Sequence, residues 1–110
     1  MEINAFQFEE NVIWEDLGAG VQRKILGYDD KLMLVRVKFE SGSVGNLHSH
    51  HHSQITYVEE GVFEMTIGEE TRIIKKGDSY YVSPNVIHGV VCKEPGVLID
   101  AFSPHREDFI

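Results

Sequence analysis

Hydrophobic and polar residues alternate along short stretches of this chain, and no long stretch repeats them with the period of a helix. In the stretch 32–39 every odd-numbered residue is hydrophobic, whereas the even-numbered residues include Arg36 and Lys38. The stretch 62–67 alternates in the same way. Successive side chains of a strand point to opposite faces, so each stretch predicts a half-buried strand. The chain is therefore predicted to be all-β.

Turn-forming residues separate these predicted strands. Glu59-Glu60-Gly61 precedes an alternating stretch and predicts a hairpin. Further turns are predicted at Asp29–Asp30, Gly68–Glu69, Lys76–Asp78, Pro84–Asn85 and Glu94–Gly96. A spacing of about eight to twelve residues is typical of a β-sandwich or barrel. No linker-like segment interrupts the pattern, so residues 1–110 are predicted to form one domain.

Composition narrows the classes of function. The chain has 110 residues, of which 42% are hydrophobic and 25% charged, which is ordinary for a globular protein. Its formal net charge of -8 argues against binding to nucleic acid or anionic membranes. The first ten residues lack the features of a signal peptide, so we expect a cytoplasmic protein. Cys92 is the single cysteine, which excludes an internal disulfide and a cysteine-based zinc cluster.

Four of the six histidines lie within residues 48–52. On a strand, His48 and His50 would point to the same face, with Gln54 four residues further along. A third imidazole from His88 would complete a set that suits a divalent transition metal. The alternative is a solvated histidine-rich loop, and the residues alone leave both interpretations open.

The spacing of these residues resembles the first motif of the cupin superfamily. Gly42 is followed after five residues by His48, after one more by His50, after three by Gln54 and after six by Gly61. The family usually has glutamate where this chain has Gln54.

The second cupin motif is also recognisable. Gly77-Asp78 opens a turn, and His88 stands at the position of the final histidine ligand. Ser83 replaces the usual proline and Asn85 the usual glycine, and asparagine tolerates the positive φ of such a turn.

The resemblance implies a double-stranded β-helix, or jelly-roll barrel, with a metal ion in its interior. The ligands would be His48, His50, Gln54 and His88. Nickel, zinc, iron, manganese and copper remain equal candidates. Because all four ligands are neutral, the ion would keep its full charge and attract carboxylates. His51 and His52 are expected to be loop residues that do not bind this ion.

The last predicted strand, Val97–Phe102, carries Asp100 among apolar residues. Such a carboxylate either faces water at the rim or is buried with its pKa raised and ready to donate a proton. Pattern alone favours the rim. Further along, Arg106 is either a surface cation or a clamp for a carboxylate.

The segment Phe102–Phe109 resembles the C-terminal segment of the KdgF family of small pectin-degradation cupins. Together with Gln54 and the stretch 77–81, it implies a metal-dependent enzyme for 4,5-unsaturated monouronates, the products of pectin or alginate lyases. The expected reaction is ring opening and ketonisation to a linear sugar. The resemblance assigns functional roles to Asp100, Phe102 and Arg106. It also implies a homodimer, since small cupins commonly pair.

Two other functions compete with this hypothesis. A different cupin enzyme, such as a dioxygenase, could use three imidazoles to hold Fe(II), and it would consume oxygen. A non-catalytic sugar- or metal-binding cupin would keep the ligands but have no use for a buried proton donor at Asp100. Fold alone does not choose between them.

Overall fold

The computed structural model describes residues 4–110. Eight strands make up most of this part of the chain: β1 Glu15–Gly18, β2 Val21–Tyr28, β3 Met33–Phe39, β4 Val44–His48, β5 Ser53–Ile67, β6 Glu70–Lys75, β7 Ser79–Val82 and β8 His88–Ser103. Two single-turn 3-10 helices, Glu9–Asn11 and Glu107–Phe109, are the only helical elements in this part of the chain. Among residues 4–110, no helix has the length and hydropathy of a membrane span. The predicted all-β class is confirmed.

Two long strands organise the sheet. All pairs are antiparallel, and the order is β1-β2-β3-β8-β5-β6, with β4 added on β8 and β7 on β5. One half of β8 pairs with β3 and the other half with β4, while β5 divides between β7 and β6 in the same manner. Each long strand therefore crosses both halves of the molecule, and the sheet curls into the predicted barrel.

Two predicted turns, at Glu59–Gly61 and Glu94–Gly96, are wrong, because β5 and β8 continue through these segments and only bend there. Gly61 has a φ of +91° and lies at a shift in the β5–β8 register, which makes a bulge and not a reversal. A Cβ on Gly61 would lie 2.5 Å from the Cα of Gly96, so both positions require glycine. The hairpin between β5 and β6 instead turns at Gly68–Glu69, as predicted.

The remaining predicted turns, at residues 29–30, 76–78 and 84–85, all fall between strands and are confirmed. Asn85 has a φ of +68°, the conformation that made asparagine an acceptable replacement for glycine. His51 and His52 lie in the loop before β5, as expected.

The core fills the barrel with side chains from alternate positions. In β3, Met33, Val35 and Phe39 are buried, as the alternation predicted. Phe63 is fully buried, and its ring contacts Phe39 edge to face at 5.4 Å between centroids. The larger cluster consists of Phe39, Val58, Phe63, Met65, Val90, Cys92 and Leu98, and the smaller one of Met33, Val35 and Phe102. A cavity lined by both clusters remains between them and the histidines.

Candidate metal centre

Strand pairing brings the histidines together. His48 is the last residue of β4, and it lies directly opposite His88, the first residue of β8. His50 follows in the loop after β4, and Gln54 is the second residue of β5. One nitrogen from each of the three imidazoles lies within 4.8 Å of the others.

The three imidazole rings are held in the same way. In each ring Nδ1 lies within hydrogen-bond distance of a main-chain carbonyl oxygen. For His48, His50 and His88 these oxygens belong to Asn46, His52 and Val86, at 2.8, 3.1 and 2.9 Å. A carbonyl can only accept, so Nδ1 carries the proton and Nε2 keeps the lone pair that binds metal. Burial lowers the pKa of His50 and of His88, which favours the neutral form that a ligand needs.

Gln54 completes this set of donor atoms. Its Oε1 lies 2.9 Å from Nε2 of His50, and its Nε2 donates to the Thr56 hydroxyl at 3.0 Å and to Asp100 at 3.4 Å. Because the His50 proton is on Nδ1, Nε2 of His50 is an acceptor, and so is Oε1 of Gln54, which faces it. Two acceptors at this distance repel each other, and a cation between them relieves that repulsion. Three neutral imidazoles and an amide oxygen therefore fit a divalent ion at this place.

Asp100 is buried, so the pattern-based preference for a rim position was wrong. Its carboxylate lies opposite Thr56 in the β5–β8 pairing and accepts a hydrogen bond of 2.6 Å from the Thr56 hydroxyl. Burial raises the pKa of Asp100 to about 6, although Thr56, Arg106 and Gln54 act in the opposite direction. These polar neighbours explain why the barrel tolerates a carboxylate here.

Arg106 and Phe102 lie against each other beside the same cavity. Asp108 holds the Arg106 guanidinium through two contacts, to Nε at 3.0 Å and to Nη2 at 2.8 Å. The guanidinium carbon lies 5.1 Å from the Phe102 ring centre and 4.3 Å from that of Phe109. The Arg106 side chain is only 10% exposed. Its remaining N–H donors are therefore held at a fixed place on the cavity wall.

The cavity joins these groups into one pocket of about 160 Å³. Six of the seven residues that the sequence singled out line it, and these are His48, Gln54, His88, Asp100, Phe102 and Arg106. The seventh, His50, is in ring contact with His48 and His88. A cavity of about 150 Å³ holds one benzene ring in a well-studied case, so a ligand with a single six-membered ring is the appropriate size.

Sequence reasoning missed one charged residue of this pocket. Arg23 on β2 lines it, lies 4.0 Å from the Phe109 ring centre, and has a buried Nε with no hydrogen-bond partner among the described residues. Tyr80 also lines it, and burial together with the charge of Asp100 raises its pKa. The sequence contains a signal for Arg23. It occupies a position between Val21 and Ile25 where the alternation of β2 calls for an apolar residue, as Asp100 does in β8.

Comparisons with known proteins agree with this geometry. Residues 35–102 match the family model for the cupin domain. The chain is 49% identical over 104 residues to the pectin degradation protein KdgF of Dickeya dadantii (strain 3937), which covers 93% of this chain and 94% of that protein.

Two solved structures are similar over nearly the whole chain. An RmlC-like cupin from Shewanella frigidimarina NCIMB 400 is 44% identical with a TM-score of 0.95, and the match covers 98% of this chain and 97% of that one. KdgF from a Halomonas species is 39% identical with a TM-score of 0.93, covering 98% and 100%.

Proposed function

The chain belongs to the cupin family, with KdgF proteins among its relatives, and from this we propose that it is a metal-dependent enzyme that ketonises 4,5-unsaturated monouronates. The observation that carries the proposal is the shared pocket. A buried carboxylate, an arginine and a neutral metal-binding set line one cavity large enough for a single sugar ring. The pectin degradation named for the Dickeya dadantii relative supports an acidic sugar as the substrate class.

The arginines of the pocket bind the carboxylate of the substrate. Arg106 and Arg23 both line it, in a chain whose net charge of -8 would otherwise repel a uronate. Asp108 uses only two of the five N–H donors of Arg106, so the others are free to bind the substrate carboxylate. A divalent ion on His48, His50, Gln54 and His88 would supply Lewis-acid polarisation of a substrate oxygen.

Asp100 moves the proton in this proposal. Ring opening of the unsaturated uronate leaves an enol, with a double bond between C4 and C5 and a hydroxyl on C5. A proton added at C4 and a proton lost from the C5 hydroxyl give the ketone, with no gain or loss of electrons. Asp100 delivers the proton to C4, a contribution typically worth about 10² to 10⁴ in rate. The proton lost from the C5 hydroxyl passes to water, and water returns a proton to Asp100. Thr56 and Gln54 hold the carboxylate in place.

Phe102 forms the apolar wall of the site. It is 4% exposed, lies opposite Gln54 in the β5–β8 pairing, and contacts His50 edge to face at 5.8 Å. The ring excludes water from the side of the pocket on which Arg106 lies. Exclusion of water strengthens the attraction between Arg106 and the substrate carboxylate.

A second copy of the chain is the partner that we propose for the outer face of the sheet. Leu34, Ile55 and Tyr81 are 40%, 55% and 56% exposed, and the strand registers join them through Ala101 in one row across four strands. Sedimentation should give a dimer for the wild type and a monomer for Ile55→Asp. A monomeric wild type would contradict this assignment.

The experiment for the activity mixes tag-free, metal-loaded protein with a fresh lyase digest of polygalacturonate or alginate. We expect faster loss of the unsaturated-uronate absorbance than in a metal-stripped control, with a linear ketone identified by NMR. Asp100→Asn should slow the reaction about 10² to 10⁴-fold with the metal still bound. Full activity of that variant would refute the role of Asp100. Oxygen consumption in place of ketone formation would favour a dioxygenase.

A further inference from the structure

A second cluster of ligand side chains lies outside the pocket. His51 and His52 belong to the loop before β5, and Glu107 begins the 3-10 helix near the C-terminus. One donor atom from each of these three residues lies within 4.8 Å of the others. None of them is a ligand in the interior centre described above, and the proposed activity gives them no role.

The three side chains are arranged around the Glu107 carboxylate. Nε2 of His51 lies 3.3 Å from one carboxylate oxygen, and Nε2 of His52 lies 3.3 Å from the other. The two imidazole rings face each other at a tilt, with 3.9 Å between their centres and 32° between their planes. The His52 side chain is 3% exposed, whereas those of His51 and Glu107 are 60% and 58% exposed. The cluster thus has a buried inner ligand and an open side through which an ion can enter.

These distances are compatible with a shared ion as well as with direct hydrogen bonds. Charge-assisted hydrogen bonds between nitrogen and a carboxylate are typically about 2.7 to 2.9 Å long. Zn²⁺ binds imidazole nitrogen and carboxylate oxygen at about 2.0 to 2.2 Å, so two such ligands around a tetrahedral ion lie about 3.3 to 3.5 Å apart. The nitrogen–oxygen separations on both sides of Glu107 fall in the second range.

We propose that His51, His52 and Glu107 bind a second divalent transition-metal ion, separate from the one in the barrel interior. Two imidazoles and one carboxylate suit Zn²⁺, Ni²⁺ or Cu²⁺. In the metal-free protein Nε2 of His52 donates a hydrogen bond to the His105 carbonyl oxygen at 3.1 Å. Ion binding displaces that proton, and the carbonyl oxygen or a water molecule completes the coordination. The ion fastens the C-terminal segment to the loop before β5.

The two segments that this ion joins also carry contacts to residues of the pocket. The main-chain carbonyl of His52 accepts the hydrogen bond from Nδ1 of His50, so the loop that carries the second site also orients an interior ligand. On the other side, Glu107 adjoins Asp108, which holds Arg106. The second site is proposed independently of the enzymatic reaction.

Calorimetric titration of tag-free, metal-free protein with Zn²⁺ tests the proposal. The wild type should bind two ions per chain, and His88→Ala should bind one. His51→Ala and Glu107→Gln should each weaken the second binding event at least tenfold and leave the first unchanged. Glu69→Gln, which removes an exposed carboxylate at the β5–β6 turn, is the matched control and should bind as the wild type does.

The outcomes separate the two sites. A single ion in the wild type that is retained in His51→Ala and lost in His88→Ala would overturn the second site and leave a hydrogen-bonded contact. Two ions in Glu107→Gln with unchanged affinities would also overturn it, because the carboxylate would not be a ligand. Activity of the interior site plays no part in this readout.

Discussion

Replacement of Asp100 by asparagine should stabilise the metal-free protein at neutral pH. The carboxylate is buried in the barrel wall, and its pKa is raised from 3.8 to about 6 because burial disfavours the charged form. Asparagine has nearly the same shape and can still accept the hydrogen bond from Thr56, but it carries no charge.

The magnitude follows from the raised pKa. Each unit of pKa is worth about 1.4 kcal/mol, so a rise from 3.8 to about 6 sets an upper limit of about 3 kcal/mol on the gain. The new amide N–H donors need partners, which reduces the gain to between about 1 and 3 kcal/mol. For a domain of this size, that corresponds to a rise in Tm of about 4 to 12 °C.

The dependence on pH distinguishes this effect from a general change in packing. The folded state binds the Asp100 proton more tightly than the unfolded state does, so wild-type stability falls as pH rises between about 4 and 6. The asparagine variant lacks this contribution. The difference in free energy of unfolding should therefore be small near pH 4 and should reach its full value above about pH 6.

Urea unfolding of chelator-treated protein at several pH values measures this difference. Chelation is needed because a nearby cation would favour the charged carboxylate. Asp30→Asn, an exposed residue in the turn before β3, is the control and should show no such dependence. A variant less stable than the wild type at pH 7, or a difference that does not change with pH, would refute the reasoning.

Three further predictions concern the bend at Gly96, the side chain of Arg106 and the interior metal ligand His88. Gly96→Ala should destabilise the fold by about 2 to 4 kcal/mol in thermal unfolding, because its Cβ would lie 2.5 Å from the Glu60 carbonyl oxygen. Gly77→Ala, which has a φ of +94° and no atom within 4 Å of its Cβ, should cost only about 1 to 2 kcal/mol, and equal losses would contradict the steric argument. Arg106→Lys should lower kcat/KM for an unsaturated uronate about 10- to 100-fold, mainly through a higher KM, since lysine cannot present a planar fork of donors. Unchanged kinetics would show that Arg106 does not bind the substrate. His88→Ala should weaken Zn²⁺ binding at the interior site at least about a hundredfold. Calorimetry in a His51→Ala background isolates that site, and retained affinity would exclude His88 as a ligand.

The sequence predicted the strands well where a simple alternation decides them. The stretch 32–39 has one hydrophobic face, and the structure buries that face. Gly61 and Gly96 misled the prediction because turns and bulges use the same residues. Only the pairing of β5 with β8 shows that each glycine makes room for the other strand.

The candidate site was predictable to the extent that its residues follow local motifs. His48, His50, Gln54 and His88 have motif spacing, and the structure brings the three imidazoles together beside Gln54. The burial of Asp100 depends on Thr56, a partner from a distant strand that no local pattern connects to it. The place of Arg23 in the pocket likewise depends on the curl of the whole sheet.

Ketonisation in deuterium oxide tests the central claim most directly. A proton delivered by Asp100 reaches C4 of the enol from one face, so the wild-type product should carry deuterium at one of the two C4 positions, as read by NMR. Asp100→Asn, loaded with metal to the same extent, should form the ketone about 10² to 10⁴-fold more slowly, with its single deuterium divided between the two positions across the product population. Wild-type product with its single deuterium divided equally between the two C4 positions, formed no faster than without protein, would contradict the account.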